Sequence, residues 1–119
     1  MPLQSPWSRV TFYLPVNKVT EKAAVGIVID AVRQRYKAST SSSLQPTVFL
    51  GSWWSNDINN FICDNITIVT VDVQKDHNDP SFIAELEQLL ENAFNAYGTV
   101  HADQDDIWMT IHPIVRIGR

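Results

Sequence analysis

The sequence has a single cysteine, Cys63, so an internal disulfide is excluded, and such sparing use of cysteine fits a reducing cytoplasm. Its glycines, Gly26, Gly51, Gly98 and Gly118, stand alone. A glycine-rich loop of the kind that cradles phosphates is therefore missing, and nucleotide binding by that device is not expected. Basic residues are few: 9 Lys and Arg stand against 13 Asp and Glu, a net charge of -4 that offers no general attraction to nucleic-acid phosphates or anionic lipid. No stretch approaches ~18 uninterrupted apolar residues, and residues 1 to 9 lack both a basic leader and an apolar segment. An unexported cytoplasmic protein that binds neither membrane nor nucleic acid is the expectation.

What the chain does contain is a stretch that organises the rest, Ile66-Thr67-Ile68-Val69-Thr70-Val71-Asp72-Val73. It is mostly β-branched and free of Gly and Pro, which predicts a central strand. Thr67, Val69, Val71 and Val73 share one side; Ile66, Ile68, Thr70 and Asp72 share the other. A strand apolar on both sides is normally covered on both sides. With 119 residues, the chain is expected to form one domain over 1 to 119, long enough to build a core.

Residues 1 to 8, with Pro2 and Pro6, predict an irregular lead-in, and the alternation of Val10, Phe12 and Leu14 with Thr11 and Tyr13 predicts a first strand that Pro15 ends. Apolar residues at Ala24, Val25, Val28, Ile29, Val32 and Tyr36 predict a helix over about 20 to 37, with Thr20 as its cap. The polar run 39 to 43 and Pro46 predict a turn. Thr47 to Trp54 reads as a second strand with Gly51 as a bulge or close-approach point, and the Asn- and Asp-rich segment 55 to 65 as an elaborated hairpin loop. After the third strand, Asp79 as cap, Pro80 at the first helical position and the stripe Phe82, Ile83, Leu86, Leu89, Leu90, Ala93, Phe94 and Tyr97 predict a helix over 79 to 97 ended by Gly98. Ile107 to His112 completes the set as a fourth strand, which Pro113 confines to a sheet edge or a bulge.

The order β-α-β-β-α-β, with crossover helices and a central hairpin, resembles the ferredoxin-like split βαβ architecture. That resemblance implies an α+β fold with a four-stranded antiparallel sheet, strands one and three central, and both helices on one face. It implies no activity, because the architecture hosts many unrelated functions.

The face away from the helices is expected to be apolar, since strands one, three and four carry apolar or aromatic residues at both parities; such a face marks an interface, and a sheet-to-sheet homodimer is the simplest cover. The candidate pocket or interface residues are Tyr13, Trp53, Trp54, Asn56, Asp57, Trp108 and His112. Adjacent Trp53 and Trp54 point to opposite sides of a strand, so only one of them can join the core. A histidine side chain suits a general base, a role open to His112 if it faces a pocket also lined by Tyr13 and a tryptophan; a satisfied or interface histidine is the preferred reading. His77, His101 and His112 sit in separate segments; His101 with Asp103, Asp105 and Asp106 is the densest cluster, and it reads as a solvated acidic loop. Cys63 has the carboxylate of Asp64 and no activating base as its sequence neighbour, so nucleophilic catalysis is not expected there and a structural or exposed thiol is. Neither a metal nor a cofactor is expected. Two readings follow: a non-enzymatic binding or assembly module acting as a homodimer through its sheet, or a small cofactor-free enzyme of the dimeric α+β type whose aromatic pocket takes a small-molecule ligand.

Overall fold

The computed structural model describes residues 6–37, 48–95 and 107–117. The elements are β1 (Trp7–Pro15), α1 (Val19–Tyr36), β2 (Val48–Ser55), β3 (Asn60–Val73), α2 (Pro80–Asn95) and β4 (Trp108–Ile114). They form a mixed α+β structure, a four-stranded antiparallel sheet ordered β2-β3-β1-β4 with two helices.

The core follows from strand parity. Val10 pairs with Val71, Phe12 with Val69 and Leu14 with Thr67, so the buried rows of the two central strands point to the same side. Ala24, Val25, Val28 and Val32 of α1 and Phe82, Leu86, Leu89, Ala93 and Phe94 of α2 close over that side as one cluster. Met109 and Ile111 of β4, opposite Phe12 and Val10, pack against its margin.

The helix ends differ from expectation at one point. α1 starts at Val19 rather than being capped by Thr20: the buried Glu21 carboxylate reaches back and accepts the backbone N–H groups of Asn17 (3.0 Å) and Lys18 (2.9 Å). Orphan amides at a helix start need an acceptor, and a carboxylate there also faces the positive end of the helix dipole. For α2, Asp79 Oδ1 accepts the N–H of Ser81 at 2.9 Å and Pro80 occupies the first helical position, while Tyr97 and Gly98 lie outside the described residues. The polar run 39 to 43, Pro46 and Thr47 also lie outside them.

The largest departure is in the β2–β3 hairpin. The segment 55 to 65 is not an elaborated loop: Ser55 pairs with Asn60, the connection is residues 56–59, and residues 60–65 continue β3. Asn59 takes the left-handed φ of 52° that the tight turn requires and that Asn tolerates. Gly51 sits in unbroken register opposite Asp64, without a bulge; a Cβ there would meet Ile66 at an ordinary 3.5 Å. At the N-terminal end, Trp7 and Ser8 belong to β1 rather than to a lead-in, and the buried Ser8 hydroxyl donates to the Lys75 carbonyl at 2.6 Å. Pro113 is accommodated because β4 is an edge strand.

β1 pairs with β3 only from Ile66 onward. Residues 60–65 and their β2 partners therefore run past the sheet as a two-stranded arm, roughly 20 Å long at ~3.3 Å per residue, in a molecule 56 × 30 × 24 Å across. Its base is fastened by Val16 N–H to Asn65 O and by Asn65 N–H to Asn17 Oδ1, each 2.9 Å.

Leu86 is fully buried at the centre of the α2 stripe. Leu86→Ala is expected to cost roughly 2–5 kcal/mol, the range for a truncated core leucine; a urea midpoint that barely moves would show that the residue carries no core packing.

Candidate functional site

Opposite the core, the sheet presents a face built in cross-strand rows. Antiparallel register sets Ile68, Tyr13 and Trp108 side by side, then Thr70, Thr11 and Thr110, then Asp72, Arg9 and His112. Phe49 and Ile66 extend the apolar end, and Trp7 opposite Ile114 closes the charged end. The face is thus graded from aromatic to hydroxyl to charged along the strands.

Each row has its own chemistry. The Tyr13 and Trp108 rings stack at 3.8 Å between centroids and 12° between planes, leaving Trp108 48% exposed. An aromatic pair on an outer sheet face is a broad, rigid contact platform. In the threonine row, the Thr110 hydroxyl is buried with no partner among the described residues. In the charged row, Arg9 grips Asp72 in two parallel hydrogen bonds, Nε to Oδ1 at 2.8 Å and Nη2 to Oδ2 at 3.0 Å. Those bonds hold the Asp72 carboxyl below the usual carboxylate range, against the upward push of its partial burial. The Arg116 guanidinium lies 4.6 Å from the Trp7 ring centre. His112 is exposed beside Arg9.

The other candidates stand at the tip of the arm. Trp54 is 49% exposed, meets Phe61 edge to face at 5.3 Å, and donates its Nε1 hydrogen to Asn56 Oδ1 at 3.2 Å. It is therefore not in the core. Asp57 is exposed in the turn, and Trp53 pairs opposite Ile62. Trp54 is level with Phe61 and Tyr13 with Ile68, a separation of roughly 23 Å along β3 at ~3.3 Å per residue, and the two lie on opposite faces by register. The seven candidates form two groups: Tyr13, Trp108 and His112 on the sheet face, and Trp54, Asn56 and Asp57 at the arm tip, where the strand also places Trp53. They do not line one pocket.

A third feature was not legible beforehand. An open groove of about 660 Å³ runs between the outer sides of α1 and α2, with Ile27, Ala31 and Leu89 in its wall and Gln88 at its rim. At one end Glu85 accepts from both Arg35 and the Tyr36 hydroxyl, the latter at 3.2 Å. Burial first, and the Glu85 charge second, push the Tyr36 phenol up to about 12. Residues 36 and 85 are far apart in sequence, so no local pattern announces the contact.

Among the described residues no three His, Cys, Asp or Glu side chains come together as a metal site, and no helix is long and apolar enough to cross a membrane. His101, Asp103, Asp105 and Asp106 lie outside the described residues. Cys63 is an exposed free thiol on the arm. No protein-family model matches the chain, and no curated protein matches it.

The Tyr36 environment has a measurable consequence. A phenol whose pKa is raised by folding contributes stability that is intact below its unfolded value of ~10 and lost as pH rises through about 12. Ultraviolet titration should show one late tyrosinate phase that Tyr36→Phe removes, and the variant should lose less stability across that alkaline window. A wild-type titration completed near the ordinary tyrosine range would contradict it.

Proposed function

We propose that the protein is a non-enzymatic binding or assembly module, cytoplasmic and with the ferredoxin-like arrangement, that works as a homodimer through the open face of its sheet. The observation that carries this reading is the stacked Tyr13–Trp108 pair, flanked by Ile68, on a face that no described helix covers. Large apolar patches are uncommon on monomers and mark contact surfaces. Two copies related by a twofold axis meet through the same patch, so each aromatic row finds an equally apolar row in its partner. The grading of the face suits such a contact: aromatic residues are enriched in interfaces, while a preformed, bidentate Arg9–Asp72 pair suits a hydrated rim. The alternative of a cofactor-free enzyme is less well supported, because a catalytic pocket needs converging polar groups in an enclosed space and the candidate residues divide between two distant places.

A specific dimer of this kind buries on the order of 1,200–2,000 Å² in total. Trp108→Glu introduces a charge that stays solvated in a single chain but is desolvated at a contact centre, where it costs several kcal/mol. On a sizing column with light scattering, the parent is expected to elute as a dimer at micromolar concentration and the variant as a monomer. A parent that is already monomeric there rules the reading out.

A further inference from the structure

The arm has a surface of its own, independent of the open face. Among the described residues β2 is an edge strand, so one side of its backbone over Val48–Ser55 has no strand partner there. Proteins usually guard such edges with charge, proline or a bulge, because an open ladder of N–H and C=O groups is a template for another strand. The opposite edge, β4, has Pro113 and the exposed His112. β2 has none of these guards: its sequence, Val48-Phe49-Leu50-Gly51-Ser52-Trp53-Trp54-Ser55, contains no charge and no proline, and its register is unbroken. Val48 is 54% exposed, Leu50 72% and Phe61 of the neighbouring strand 61%. A two-stranded ribbon is marginal in water by itself, yet this one projects beyond β1 with apolar side chains open to solvent.

The geometry points to edge-to-edge pairing of β2 with β2 of a second copy, antiparallel across a twofold axis near Gly51, joining two sheets into one. The strand itself argues for a second copy as the occupant. With no charge along its length, it meets itself without like-charge opposition. Its bulk is also distributed symmetrically, with large residues towards both ends and Gly51 and Ser52 in the middle. Antiparallel reversal therefore brings small centre to small centre. In the register centred on Gly51, directly opposite residues share a face, so Val48 meets the partner's Trp54 and Leu50 the partner's Ser52. The exposed apolar row on the helix side of one arm becomes continuous with that of the other. Each arm then gains a third and fourth strand beside it, the condition under which a ribbon becomes stable.

The lone thiol supplies the test. Cys63 is exposed on β3, opposite Ser52 and one strand in from the paired edge. Three strand spacings of ~4.8 Å, with a small stagger along the strands, place two Cys63 residues roughly 15–20 Å apart in the pair. Nitroxide label on Cys63 of the full chain, measured by pulsed electron paramagnetic resonance, should give a distance in that range lengthened by the two linkers. Leu50→Lys, at a position already exposed, should remove the short distance while the circular dichroism spectrum and urea midpoint stay close to those of the parent. Val48→Lys should act in the same way and guards against one variant misfolding. The edge contact is the weaker of the two, so Trp108→Glu, a monomer at the micromolar concentration of the sizing column, should still show the short distance at the much higher concentration of the resonance measurement, which separates this contact from the open-face dimer. A distribution with no component below ~35 Å, well beyond the reach of the paired strands plus linkers, overturns the proposal, as does a short distance that survives both lysine variants.

Discussion

The structure depends on the register between β1 and β3. Val10, Phe12 and Leu14 face the helices only because they stand opposite Val71, Val69 and Thr67; a slip of one residue would turn the buried row of either strand to the outside. The apolar stripes of α1 and α2 complete one core against that row. Two helices cover one face of a four-stranded sheet, and the remaining face takes its character from whatever the alternate positions carry.

In this chain those positions carry a gradient. Ile66, Ile68, Tyr13 and Trp108 are followed along the strands by a threonine row and then by Arg9, Asp72 and His112. The aromatic end is suited to exclude water, and the Arg9–Asp72 end is preorganised by its own ion pair and remains exposed. The same parity that builds the core thus sorts the aromatic end of the open face from its charged end.

The arm has a different origin. β2 and β3 outrun β1, so their outer residues have strand partners but, among the described residues, neither helical cover nor a third strand. Apolar side chains there, such as Leu50 and Phe61, are left in solvent by topology rather than by composition. Among the described residues, one exposed apolar region lies on the sheet face and another on the projecting hairpin. An assembly using both would hold each copy through two independent contacts.

Much of this was readable from local pattern. The stripe, the Asp79 cap and Pro80 located α2, and β-branched alternation located the central strands, because periodicity and capping are short-range properties of the chain. The segment 55 to 65 was misread because Asn and Asp favour turns in isolation, whereas pairing with β2 holds Asn60, Asp64 and Asn65 in a strand; tertiary pairing outweighed a modest local preference. The sequence alone placed apolar or aromatic residues at both parities of strands one, three and four. The expected apolar second face is nevertheless apolar at one end only, because register puts Thr11, Thr70 and Thr110 at its middle and Arg9, Asp72 and His112 at its other end. Which residues meet on that face was decided by the fold: Tyr13 reaches Trp108, and Arg9 reaches Asp72, only through the order β2-β3-β1-β4, which brings together segments some sixty to ninety-five positions apart. The division of the tryptophans between sheet face and arm tip likewise depended on where β1 stops beside β3, a length that pairing sets and no local pattern records.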